Sequence, residues 1–270
     1  MNRAMHRGMF RGMHWATWGA ALGCVTALVT QAPAHWLANA VAQVSHQRVL
    51  LTQPEGTVWQ GSASWVLSDG QIGAPSAMAL PSRMHWQLRP HIDWSHFSLG
   101  LRAQLNTACC TPQALVVDLT PRWQGVRVHI PAHASQWPAH WLVGLGAPWN
   151  TVQPEGQLQF STPGLTLQRE TNQLHLDGQA QLQLQQLSTR LSTLQPLGSY
   201  RVQVQGGDTM AVKLDTVEGK LQLQGEGQWV QGRLRFKGEA SAQPEFEAAL
   251  SNLLNILGQR RGNKSIMELG

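Results

Sequence analysis

Charge is scarce in this chain. Only 13% of its 270 residues are Asp, Glu, Lys or Arg, and no acidic residue occurs before Glu55. Cysteine is scarcer, with three in all. Cys24 lies in an apolar stretch, and Cys109 and Cys110 are adjacent. Neighbours joined by a trans peptide are ~3.8 Å apart, short of the ~4.4–6.8 Å between Cα atoms of ordinary disulfides. No ordinary intrachain disulfide is therefore expected, and stability must come from a core. Motifs of chemistry are missing too. There is no Gly-x-Ser-x-Gly, no Gly-Lys phosphate loop and no paired-Cys zinc motif. His129 and His133 are four apart, but Val126, Val128 and Ile130 alternate beside them and Pro131 intervenes, so they read as a strand end and not a zinc-binding helix face. His91 and His96 flank a tryptophan with only Asp93 nearby. The expectation is no catalytic residue, no cofactor and no metal, hence no enzyme.

The formal charge of +5 does not mark a nucleic-acid partner. Setting aside Arg3, Arg7 and Arg11 leaves 17 of the 20 basic residues against all 15 acidic ones. The later basic residues Arg260, Arg261 and Lys264 are too few for a binding face.

Long apolar runs are absent except for one. Met13 to about Thr30, extended through Ala32, contains no charged residue. A membrane helix needs roughly 17–25 such residues. Arg3, Arg7 and Arg11 precede the run, so residues 1–12 are expected in the cytoplasm, 13–32 across the membrane, and 33–258 outside as a β-rich domain. Residues 259–270 are expected to form a tail. Ala32-Pro33-Ala34 and Ala38-Asn39-Ala40 have the small-x-small form of a cleavage site. Cleavage would still export the domain.

What is abundant is alternation. In Gln179–Gln185 the glutamines take one face and Ala180, Leu182 and Leu184 the other. Arg201–Gln205 and Lys220–Gln224 repeat the scheme. A period of two means strands with one wet face and one buried face. Further short strands, Thr57–Trp59 among them, are expected with antiparallel pairing. Leu67–Gly70 and Leu176–Gly178 read as hairpin-type turns. A helix from Trp36 to about Gln47 is expected beside the membrane. A second begins at Pro244, with Phe246, Ala249, Leu250, Leu253, Leu254 and Leu257 forming one apolar stripe that ends at Gly258. This amphipathic helix is expected to cover the sheet. Pro54-Glu-Gly, Pro154-Glu-Gly and Val217-Glu-Gly form a faint internal echo.

Gly56-Thr57-Val58-Trp59-Gln60-Gly61 resembles the Gly-Thr-Val-Trp-x-Gly signature of type II secretion system protein N. Other elements agree in order. Trp86-Gln-Leu-Arg-Pro90 is similar to the family's Trp-x-Leu-x-Pro, and Pro154-Glu-Gly156 to its midpoint turn. Leu197-Gly198-Ser-Tyr200 is similar to its Leu-Gly-x-Tyr. The run from Thr216 through Gly219, Leu221, Leu223, Gly225 and Gly227 to Trp229 is similar to its Thr-x-x-Gly-x-Leu-x-Leu-x-Gly-x-Gly-x-Trp. The likeness covers roughly residues 10–258. It implies a bitopic inner-membrane protein whose curved, antiparallel, AsmA-like periplasmic domain contacts other secretion components without catalysis. A lipid held on the concave face is the alternative role. The motif residues are expected to maintain the fold, since tryptophan and glycine serve cores and turns in β-domains.

Overall fold

The structure is a computed structural model that describes residues 23, 26–71, 73, 75–93, 98–123, 125–170, 173–230 and 232–270. Most of the expected membrane span (13–22, 24 and 25) lies outside these residues, as does His96. No helix among the described residues is long and apolar enough to cross a membrane.

Among the described residues fifteen strands form one antiparallel sheet. They are β1 (Val49–Gly56), β2 (Gln60–Leu67), β3 (Met78–Ala79), β4 (Met84–Asp93), β5 (Ser98–Thr107), β6 (Leu115–Arg122), β7 (Gly125–Pro138) and β8 (Glu155–Glu170). β9 (Gln173–Ser188), β10 (Gly198–Gln205), β11 (Ala211–Gly219), β12 (Leu221–Val230), β13 (Arg233–Ala242), β14 (Gln259–Arg261) and β15 (Lys264–Leu269) complete it. Spatial order follows sequence order, except that β15 lies between β13 and β14 and β3 pairs only with β2. Helix α1 (Ala34–Val44) precedes the sheet, α2 (Trp149–Val152) lies between β7 and β8, and α3 (Glu247–Leu257) follows β13.

The alternation works as its period requires. Leu182, Val202 and Leu214 are cross-strand partners on one face, and Gln181, Gln203 and Lys213 on the other. The sheet also curls. Trp65 on β2 and Trp137 on β7 are four strands apart in order, a separation of about 19 Å in a flat sheet at ~4.8 Å per strand. Their ring centroids are 5.6 Å apart. Trp141, from the 3-10 segment Ala139–Leu145, completes the cluster at 5.0 and 5.5 Å from the other two rings. The face bearing Trp65 is therefore concave.

Several expectations are corrected. Thr57–Trp59 is the turn between β1 and β2 and not a strand. Leu176–Gly178 does not reverse the chain. Gly178 sits opposite Leu165, and Gly164 opposite Gln179, where the register shifts. Positive φ at both glycines (99° and 154°) lets two long strands bend together without ending. Pro131 does not end β7, which runs on to Pro138. Residues 259–269 are not a tail, because β15 pairs along β13 from Ser241 to Phe236. Cys109 and Cys110 are joined to each other in a disulfide, with Cα atoms 3.7 Å apart. The ring sits in a turn where Cys110 N and Thr111 N both donate to Thr107 O. Thr107 N donates to Thr111 Oγ1 at 2.7 Å.

His133 on β7 is buried, and its Nε2 has no partner among the described residues. Burial lowers its pKa. The folded chain therefore resists a proton that the unfolded chain accepts below about pH 6.5. The contribution is intact above that pH and is lost as pH falls. The melting temperature should drop between pH 7.5 and 5.5, and His133→Gln should flatten that dependence in thermal melts.

Candidate functional site

The motif residues do not converge on one cleft. The structure gathers most of them into two nodes at opposite ends of the sheet, each built from a glycine pair, a buried aromatic and a helix.

In the first node Gly56 and Gly61 are partners where β1 and β2 meet. Gly56 has φ 89°, which the turn through Thr57, Val58 and Trp59 requires. Trp86 on β4 lies over Gly61 and is 1% exposed. A Cβ on Gly61 would meet the indole Cζ2 at 2.5 Å, so the glycine makes room for the ring. The Trp86 indole N–H donates to Thr57 O (3.2 Å) and Val58 O (3.1 Å). Helix α1 covers this corner, with Ala34 and Ala38 packed against Leu51, Ala63, Met84 and Trp86. The small alanines let the helix approach the sheet closely. The turn is tied to the chain entering from the N-terminus. Val58 N donates to Ala32 O at 2.8 Å, and the Trp59 indole N–H to Val29 O at 2.6 Å. Trp59 is half-buried, not a core residue as Trp86 is. Pro90, farther along β4, is exposed.

In the second node Gly198 on β10 pairs with Gly219 on β11. A Cβ on Gly198 would lie 2.5 Å from Glu218 O and 2.9 Å from the Tyr200 hydroxyl. Tyr200 is buried and donates its hydroxyl to Leu221 O at 3.0 Å. Burial raises the pKa of that hydroxyl. Leu250, Leu253 and Leu254 of α3 close over Leu197, Tyr200, Leu221 and Ala240. The expected stripe therefore covers the sheet, although Ala249 falls outside it and is exposed.

The remaining motif residues lie between or beyond the nodes. Gly156 begins β8 at a register shift. Gly225 and Gly227 lie under the Phe236 ring. Trp229 is half-buried near the far end of β12. The faint Glu-Gly echo corresponds to three places where a glycine with positive φ adjoins a register shift: Gly56, Gly156 and Gly219.

On the polar face, the Arg102 guanidinium forms a two-pronged contact with Asp118, at 2.6 and 2.9 Å, and holds that carboxyl below its ordinary range. His129 lies opposite Asp118 and hydrogen-bonds Thr166 at 2.9 Å. It is not paired with His133. Among the described residues no group of three or more His, Cys, Asp or Glu side chains is placed to hold a metal. A shallow depression of about 600 Å³ crosses the polar side of β1, β2, β4 and β5, lined in part by Ser62, His85, Gln87, Gln104 and Asn106. Another of about 1430 Å³ crosses β10–β13 and β15, lined in part by Gln203, Lys213, Glu226, Arg235 and Glu239.

An open, curled antiparallel sheet, clamped at each end by a helix over a glycine pair, is the class of domain that these features define. The chain belongs to the type II secretion system protein N family, whose model matches residues 47–266. It is accordingly a component of type II protein secretion. The match extends past α3 into β15, in agreement with the place of those strands in the sheet. No curated protein and no solved structure matches the chain.

The two nodes were legible as motifs but not as assemblies. The Trp65–Trp137–Trp141 cluster has no signal in the sequence, and the adjacent cysteines form a vicinal disulfide, not an ordinary one. No periodicity announces a contact between β2 and β7, which only the curl of the sheet creates.

Proposed function

We propose that this protein is a single-pass inner-membrane component of the type II secretion system. Residues 1–12 lie in the cytoplasm, 13–32 span the bilayer, and the sheet stands in the periplasm. There it organises other inner-membrane and periplasmic secretion components without catalysis, cofactor or metal. The observation that carries this reading is the first node. The family's Gly56–Gly61 corner, with Trp86 beneath it, is hydrogen-bonded to residues 29 and 32, where the chain leaves the uncharged run. A sheet tied there moves with its anchor, as a scaffold at a membrane must. Arg3, Arg7 and Arg11 ahead of the run set the orientation.

The test is crosslinking in intact cells, followed by capture of the full chain from membranes and mass spectrometry of what accompanies it. Recovery of secretion-system components supports the scaffold. Normal secretion with none of them recovered would overturn it.

A second reading, an AsmA-like lipid-handling module, is favoured by one observation. α3 covers the apolar face around Leu221, with Leu223 packed at its margin. Leu182, Leu184, Val202 and Val204 on that same face remain only half-buried. An acyl chain laid there would cover them. Phospholipid co-purifying in fixed ratio with the detergent-extracted protein, and lost on Leu182→Gln, would favour this reading over the scaffold.

A further inference from the structure

Five of the twelve exposed large apolar side chains among the described residues sit at one end of β4–β9. They are Ile92, Leu99, Trp123, Val126 and Leu174. Strand register puts four of them in one row. Ile92 pairs with Leu99. Leu101 pairs with Leu119, so continuation of that register sets Leu99 opposite Pro121. Pro121 pairs with Val126, Val126 with Arg169, and Arg169 with Leu174. The row crosses six strands, or about 24 Å at ~4.8 Å per strand. Trp123 projects from the β6–β7 turn just past the row and is fully exposed. Exposed apolar side chains gathered along one rim with interspersed polar ones mark an interaction surface.

The row lies on the side from which the N-terminal segment enters. Leu88 N donates to Trp59 O, in the turn that is bonded to Val29 and Ala32. Ile92 is four residues farther along β4, so the row stands about 13 Å beyond that turn along the strands. Leu28 and Val29 in the entering helical residues are exposed too. The charge at this end is net positive, three arginines against two carboxylates. Arg122 is exposed beside the row, Arg169 is exposed within it between Val126 and Leu174, and Arg127 is half-buried. Asp93 and Glu170 end β4 and β8. Arg102 and Asp118 neutralise each other deeper in the sheet, as His175 and Asp177 do when the histidine is protonated.

We propose that this rim seats on the anionic phospholipid headgroup surface of the membrane that holds the N-terminal segment. Trp123 lies at the interface, Ile92, Leu99, Val126 and Leu174 face the acyl boundary, and Arg122 and Arg169 face lipid phosphates. Tryptophan is favoured at headgroup depth, and arginine is attracted to a negative leaflet within about a Debye length. The inference rests on the membrane-anchored reading above, which it deepens by adding a second, peripheral contact. That contact gives the sheet a second point of attachment, and two points fix its orientation on the bilayer.

The test uses the full chain in nanodiscs containing phosphatidylglycerol with brominated acyl chains. The difference in emission between the native chain and Trp123→Phe isolates the Trp123 signal. The expected result is loss of most of that signal to the bromolipid and protection of Trp123 from aqueous acrylamide. Protection should weaken in purely zwitterionic discs and in an Arg122→Gln/Arg169→Gln variant. A Trp123 signal untouched by bromolipid and fully open to acrylamide would overturn the proposal. So would protection that appears only when other secretion proteins are added, which would assign the rim to a protein partner. Alkaline carbonate extraction reads the anchor separately. A chain retained by the membrane with Trp123 unquenched sinks the rim contact alone. A chain released by carbonate whose Trp123 is still quenched on vesicles sinks the anchor alone.

Discussion

Trp86→Ala is expected to destabilise the N-terminal end of the sheet by about 3–5 kcal/mol, the range for truncating a large buried aromatic. Trp86 is 1% exposed, lies on Gly61, and supplies the donor for two turn carbonyls. Removing it leaves a cavity under α1 and strips both carbonyls of that partner. A loss of that size is enough to open the part of the sheet where it falls. Strand order follows sequence order, so each strand packs mainly on its immediate neighbours. The damage should therefore stay local. Hydrogen exchange should show lost protection in β1, β2 and β4, with β10–β13 still protected. Uniform loss across the whole sheet would show that the nodes are coupled and refute this picture.

Leu254→Ala is expected to cost about 2–5 kcal/mol. Leu254 is fully buried between α3 and the Leu197–Tyr200–Leu221 cluster. The loss should appear as a lower denaturant midpoint and early proteolysis after β13, with β1–β5 still protected. Unchanged stability with lost recovery of secretion components would instead make the α3 stripe a docking face.

Much of the fold is legible in single residues. Leu182, Leu184, Val202 and Val204 alternate with glutamine or arginine, and a period of two allows only a strand with distinct faces. Pro244 and the Leu250–Leu253–Leu254 spacing specify a helix with one buried stripe, and the structure has it. Turn chemistry misled where glycine had a second use. Gly178 permits a reversal as readily as a bulge, and the choice depends on Gly164 across the strand pair. Thr57, Val58 and Trp59 suit a strand by propensity, but Gly56 and Gly61 close the hairpin around them.

Local periods and motifs contiguous in the chain suffice for an antiparallel sheet with a wet and a dry face, for the family, and for a covering helix. Only the folded chain brings Trp65 to Trp137, sets Gly198 beside the Tyr200 hydroxyl, and gathers Ile92, Leu99, Val126 and Leu174 on one rim. Those relations depend on strand register and on the accumulated curl of the sheet. Curl sums small twists over many strands, and no local stretch of residues encodes that sum.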